Sequence, residues 1–129
     1  MSYLDSSFLI DHVDGDEAAT VEYLENHPND RFLVSTLSLY ELCLGAVLSG
    51  TSDDRMDAIR RGIHWADIDP FEESDAVEAA RIRGELSETG EQINLADVLI
   101  AGAAREAGEA VVTRDRDFDA IDGLETERY

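Results

Sequence analysis

Lysine is absent from this chain: all 10 of its basic residues are arginine. A Walker-type phosphate loop, a pyridoxal Schiff base and the usual phospho-receiver pocket each need a lysine amine, so none of them operates here in standard form. Cysteine occurs once, which excludes an internal disulfide and a cysteine-rich zinc site. Its setting in "LYELCLGAVL" predicts that Cys43 is a small buried thiol. The histidines His12, His27 and His64 lie in polar or turn-like surroundings, without metal-ligand spacing or a Ser-His-Asp or Cys-His arrangement, and are expected at the surface. No stretch approaches the roughly 18 apolar residues of a membrane span, and "MSYLDSS" lacks the basic-then-apolar order of a signal peptide. A cytoplasmic protein is expected.

What is present in excess is acid. Thirty Asp and Glu face the 10 arginines, for a formal net charge of -20, while 43% of the 129 residues are apolar. The apolar fraction suits one globular domain over residues 1–129 with a single sizeable core. Charge of this size repels itself in dilute buffer, but at about 1 M salt the Debye length falls to roughly 3 Å and the repulsion is screened. A halophilic cytosol is the environment that such a surface fits.

Along the chain, short β-branched or apolar runs alternate with amphipathic stretches. "SYLD", "RFLVST", "WADIDP" and "EAVVT" are expected as strands, with "LETE" as a short fifth at the sheet edge. Helices are expected from Ser6 through "SFLIDHV", from Asp16 to Asn26, over "LSLYELCLGAVLSG", over "SDDRMDAIRRGIH", over "FEESDAVEAARIRGELSETG" and over "NLADVLIAGAAREAG". Ser38 and Glu41 have the S-x-x-E spacing of a capping box, Gly50 closes that helix, and Asn94 and Gly108 bound the last one. Strand-helix alternation without hairpin signals predicts an α/β fold, with a parallel sheet covered by helices on both faces.

In such a sheet, ligands bind outside the carboxyl ends of the strands. Asp5 follows the first strand, Glu41 lies in the helix after the second, Asp97 begins the helix leading to the fourth, and Asp115 follows the fourth. Each sits in an apolar setting. Singly, Glu41 is explained as a cap and Asp97 as an acid at the positive end of a helix dipole, and Asp5 as a cap of the next helix. Together they are like charges that need a cation, and three of their segments contain no arginine. Oxygen ligands without His or Cys favour Mg²⁺ or Mn²⁺, and so phosphoryl or phosphodiester chemistry. The run "TRDRDFDAID" is not an EF-hand loop: Asp115, Asp117 and Asp119 fall at its first, third and fifth places, but Ala120 and Thr126 stand where Gly and Glu are required.

Four segments, "YLDSSFLID", "STLSLYELCLGA", "INLADVLIAGAA" and "AVVTRDRDFDAIDGLE", resemble in order and spacing the signature segments of PIN domains, most closely those of VapC-type toxins. The resemblance implies an α/β/α sandwich and a Mg²⁺- or Mn²⁺-dependent endoribonuclease that acts on RNA. Its acidic set would be Asp5, Glu41, Asp97 and Asp115, with Asp117 as the alternative or additional fourth acid and Ser6 or Ser7 and Thr113 as hydroxyl neighbours. It also implies a small antitoxin protein that blocks the pocket, and a homodimer. The other readings of such a domain are a housekeeping nuclease of RNA processing and an inactive module that binds RNA or protein. A dehalogenase-type phosphatase would want D-x-D, whereas this chain has Asp5-Ser6-Ser7.

Arg114 and Arg116 flank Asp115, and Arg31, Arg60, Arg61, Arg81 and Arg83 are candidates to line an approach for RNA; Arg55, Arg105 and Arg128 are expected to pair with surrounding acids. Phe118, Ile121 and Leu124 are expected to anchor the turn after the fourth strand, with Asp119 and Asp122 on the surface. The charge predicts that the chain is folded and active in molar salt and loses structure in dilute buffer. Circular dichroism that is unchanged between the two conditions would contradict a halophilic origin.

Overall fold

The computed structural model describes residues 1–14, 17–50 and 53–129. Among the described residues, eleven regular elements follow one another: β1 (Ser2–Leu4), α1 (Ser6–Asp14), α2 (Glu17–Asn26), β2 (Phe32–Ser35), α3 (Thr36–Leu48), α4 (Asp53–Gly62), β3 (Asp67–Asp69), α5 (Glu73–Thr89), α6 (Leu95–Ala107), β4 (Ala110–Val112) and β5 (Thr126–Glu127). A 3-10 turn, Arg116–Ala120, links the last two strands. The expected helix start at Asp16 and the Ser52 that opens "SDDRMDAIRRGIH" lie outside the described residues. Among the described residues, no helix is long and apolar enough to cross a membrane.

All strand pairs are parallel and the order is β3-β2-β1-β4-β5. The register sets Tyr3 opposite both Leu33 and Val111, and Leu4 opposite Val112. Because successive strand residues face opposite ways, this register sorts the apolar side chains into two layers. Tyr3, Leu33 and Val111 face α5 and α6, where they meet Ala79, Ile82 and Val98. Leu4, Val34 and Val112 face α1 to α4, where they meet Phe8, Leu42 and Ile59. This is the expected α/β/α sandwich. The α5 and α6 layer is tight: a Cβ added at Gly102 would lie 2.6 Å from the Ala79 Cβ, which leaves room only for glycine. Phe118 and Ile121 are buried against the same layer, with Leu124 packed beside them, so the turn after β4 is pinned as expected.

Two local expectations need correction. The capping box of Ser38 and Glu41 does not form, because β2 runs straight into α3 and Ser35 takes the cap, its side chain accepting from the Leu37 amide at 3.2 Å. Ser38 is therefore a turn inside the helix and Glu41 is freed from capping. Cys43 is partly exposed rather than buried, between buried Leu42 and exposed Leu44. The Asn94 cap and the left-handed Gly108 stop of α6 are both observed.

Candidate active site

The strand order reverses between β1 and β4, and this is where a parallel sheet opens a crevice at its carboxyl edge. Asp5 is the first residue after β1, and Thr113 the first after β4. Asp5 is 2% exposed, and its Oδ2 accepts from the Ser7 hydroxyl at 2.9 Å and the Thr113 hydroxyl at 2.8 Å. Its Oδ1 is buried with no hydrogen-bond partner. Although Asp5 stands at the cap position of α1, its side chain binds hydroxyls rather than the free amides of the helix end. A buried carboxylate oxygen without a partner is costly, so this atom needs a ligand.

Glu41 reaches the same edge from the second turn of α3. Its Oε1 is also buried without a partner. Burial pushes its carboxyl above the ordinary range; a Ser6 hydroxyl bond works the other way, and the charge of Asp5 adds to the rise. Ser6 thus serves Glu41, and Ser7 serves Asp5.

Asp97 is the third residue of α6, whose free amides are already capped by the Asn94 side chain accepting from Ala96 at 3.0 Å. The helix dipole alone would favour its ionised form. Here it loses to burial and to the charges of Asp5, Asp115, Glu41 and Asp117, which together push Asp97 up to about 7. Every charge in that set is a carboxylate.

Asp115 caps the 3-10 turn: its side chain accepts from the Asp117 amide at 2.9 Å, while its own amide donates to Thr113 Oγ1 at 2.9 Å. One carboxylate oxygen from each of Asp97, Asp115 and Asp117 lies within 4.8 Å of the others. The structure therefore brings both candidates for the fourth acid to the pocket, Asp115 half-buried and Asp117 exposed. Asp119 and Asp122 point elsewhere: both are exposed, and Asp119 pairs with Arg128 at 2.6 Å.

The donor set is all oxygen. Two orphaned buried oxygens and a cluster of acids that raise one another's proton affinity fit a hard divalent cation, Mg²⁺ or Mn²⁺, in preference to zinc. Asp5, Glu41, Asp97 and Asp115, with Asp117 at the rim, are the residues that could hold it.

The arginines are arranged differently from expectation. Arg31 pairs with Asp67 at 2.7 Å at the amino ends of β2 and β3, the wrong edge of the sheet for the pocket. Arg81 pairs with Glu78, and Arg83 donates to the Ile93 carbonyl, both on the α5 layer. Arg60 and Arg61 line an open groove beside α4 with Leu39 and His64. Arg105 pairs with Glu78 and Glu85, as expected of a structural arginine. Arg114 turns from the pocket to Asp11, its guanidinium 3.0 Å from Oδ2. Of the histidines, His64 is exposed while His12 is half-buried, bonded to Thr20 at 3.0 Å. Not foreseen from the sequence are Asp11 and Tyr129, which are hydrogen-bonded to each other. The one signal available was an acid, Asp11, directly after the apolar run Phe8-Leu9-Ile10 of α1.

Residues 2–124 match the family model described as PIN domain. The chain is 30% identical over 112 residues to the tRNA(fMet)-specific endonuclease VapC of Shigella flexneri, covering 86% of this chain and 85% of that one. It is 32% identical over 96 residues to ribonuclease VapC5 of Mycobacterium tuberculosis, covering 73% and 71%. In three dimensions it is similar to a chain of the DNA-bound VapBC structure from Salmonella typhimurium, with a TM-score of 0.89 and 26% identity over 99% of this chain and 98% of that one.

The raised Asp97 has a consequence for stability. A carboxyl that binds its proton more tightly when folded stabilises the fold below its unfolded pKa of about 4. That contribution is lost as pH rises through about 7. In chelator-treated protein, thermal midpoints should therefore decline between about pH 4 and pH 7, and Asp97→Asn should flatten part of that decline. A wild-type slope that Asp97→Asn leaves unaltered would contradict the placement of Asp97 among these acids.

Proposed function

The chain belongs to the PIN-domain family, and we propose that it is a divalent-metal-dependent endoribonuclease, the toxin of a VapBC-type toxin-antitoxin pair. The observation that carries this reading is the convergence of Asp5, Glu41, Asp97 and Asp115 on one edge, with Asp5 Oδ1 and Glu41 Oε1 left unpartnered. The names of its relatives support it: two that cover most of the chain are an endonuclease and a ribonuclease. An inactive binding module would have no use for acids that destabilise one another.

In this reading Asp5, Glu41, Asp97 and Asp115 hold Mg²⁺ or Mn²⁺, with Asp117 beside them. Bound there, the cation supplies Lewis acidity at an RNA phosphodiester. The chain's own residues do the rest. Ser7 and Thr113 fix the Asp5 carboxylate through Oδ2 and leave Oδ1 without a protein partner. Asp97 and Glu41, raised by burial and by the neighbouring carboxylates, are the groups whose charge a bound cation would offset, so that they would hold it as carboxylates. The 3-10 turn sets Asp115 through its own backbone and through Thr113. No covalent intermediate with the protein is required.

The acidic surface sets the conditions. In a high-salt cytoplasm, phosphate contacts contribute little affinity, so recognition of RNA falls on shape and on base contacts. An antitoxin is the protein partner expected from the likeness to a VapBC complex. The groove between α1, α3 and α4, lined by Ile10, Leu42, Ala46 and Ile59 and reaching Glu41, is suited to a partner segment that covers the pocket. A homodimer is the expected functional unit.

The test is cleavage of total RNA at high salt with and without Mg²⁺. Wild type should give discrete fragments only with metal, and Asp5→Asn, Asp97→Asn and Asp115→Asn should each remain folded and cleave at least about 100-fold more slowly. Metal-independent cleavage, or full activity in all three variants, would refute the assignment.

A further inference from the structure

Joined to the pocket through Ser7 is a second polar cluster, formed with Tyr129, Asp11 and Arg114. Asp11 is a buried carboxylate on α1, 7% exposed. Its Oδ2 accepts from the Tyr129 hydroxyl at 2.8 Å and lies 3.0 Å from Arg114 Nη1. The Tyr129 ring is held edge-on against Phe8, with centroids 4.8 Å apart. Tyr129 has one hydroxyl proton, and the short contact to Asp11 takes it; the 3.4 Å approach of the same oxygen to Ser7 Oγ is the weaker contact.

Arg114 stands between Thr113 and Asp115 and, with Arg116 on the other side of Asp115, is one of the two arginines adjacent in sequence to an acid of the pocket. Its side chain is 60% exposed, so apart from this ion pair little holds it. A guanidinium next to so many uncompensated carboxylates is drawn toward them, and once there it would occupy the position of a cation. Asp11 offers it a buried carboxylate on the other side.

We infer that Asp11 and Tyr129 form a clasp that holds Arg114 out of the acidic pocket and so keeps the pocket open to its metal. Asp11 and Tyr129 are positioning residues, acting through Arg114 and touching neither metal nor RNA. The inference rests on the metal-binding reading of the pocket given above.

Direct Mn²⁺ binding, read by electron paramagnetic resonance of the full chain in molar salt, tests it independently of cleavage. Wild type binds and Asp97→Asn does not; failure of wild type to bind overturns the metal reading and the clasp together. Asp11→Asn keeps the size of the side chain but releases the arginine, and should weaken Mn²⁺ binding about tenfold. Adding Arg114→Ala to it should return the affinity to within about twofold of wild type, and Arg114→Ala alone should leave it there. Wild-type binding by Asp11→Asn overturns the clasp, as does a double variant as weak as the single one, which is what a merely structural role predicts. Should Asp11→Asn fail to fold, Tyr129→Phe removes one hydroxyl and should weaken binding about threefold, again restored by Arg114→Ala. Tyr129→Phe with wild-type affinity, or unrestored by Arg114→Ala, overturns the clasp in that case.

Discussion

The repulsion among carboxylates at the carboxyl edge of the sheet is the constraint on which the rest of this structure turns. A parallel sheet delivers the ends of neighbouring strands to one place, and here β1, the helix after β2, the helix before β4 and the turn after β4 each bring an acid there. Burial limits their access to water, and the charges that act on Asp97 are those of Asp5, Asp115, Glu41 and Asp117. Such an arrangement opposes folding unless a cation balances it, so its presence in this sandwich bears on function. On the metal-binding reading, it is a site that the fold maintains against its own stability.

Hydroxyl groups decide which oxygen atoms remain available. Ser7 and Thr113 each have one proton and give it to the same oxygen of Asp5, which leaves the other oxygen bare. Thr113 in turn accepts from the Asp115 amide, so one side chain orders two acids on adjacent segments. On α3, moving the cap to Ser35 releases Glu41 from local duty and leaves its Oε1 unpartnered as well. The same economy of partners continues outward to Asp11, which holds Arg114 and Tyr129.

Much of this was legible in the sequence, because it depends on periodicity and local order. The alternation of β-branched runs and amphipathic helices placed all five strands and their parallel arrangement, and the position of Asp5, Glu41, Asp97 and Asp115 after or before strands brought them to one edge. What the sequence hid depends on competition and on distance. Ser35 and Ser38 both suit a cap, and only the direct run of β2 into α3 selects the first. Arg31 looked free to approach RNA until the fold placed it at the amino ends of β2 and β3 beside Asp67. Asp11 lies about a hundred residues from Arg114 and Tyr129, and nothing in their spacing announces that they meet. Asp115 and Asp117 could not be separated by sequence for a physical reason: the turn that Asp115 caps brings both beside Asp97.

The central claim is that these acids are held together for a divalent cation. Anomalous diffraction from a crystal soaked in Mn²⁺ tests it most directly. The account predicts a peak within coordination distance of Asp5 Oδ1 and a carboxylate oxygen of Asp97, at about 2 Å, with Asp115 or Asp117 completing the set. An empty pocket at saturating Mn²⁺, or a peak confined to surface acids such as Asp119 and Asp122, would contradict it.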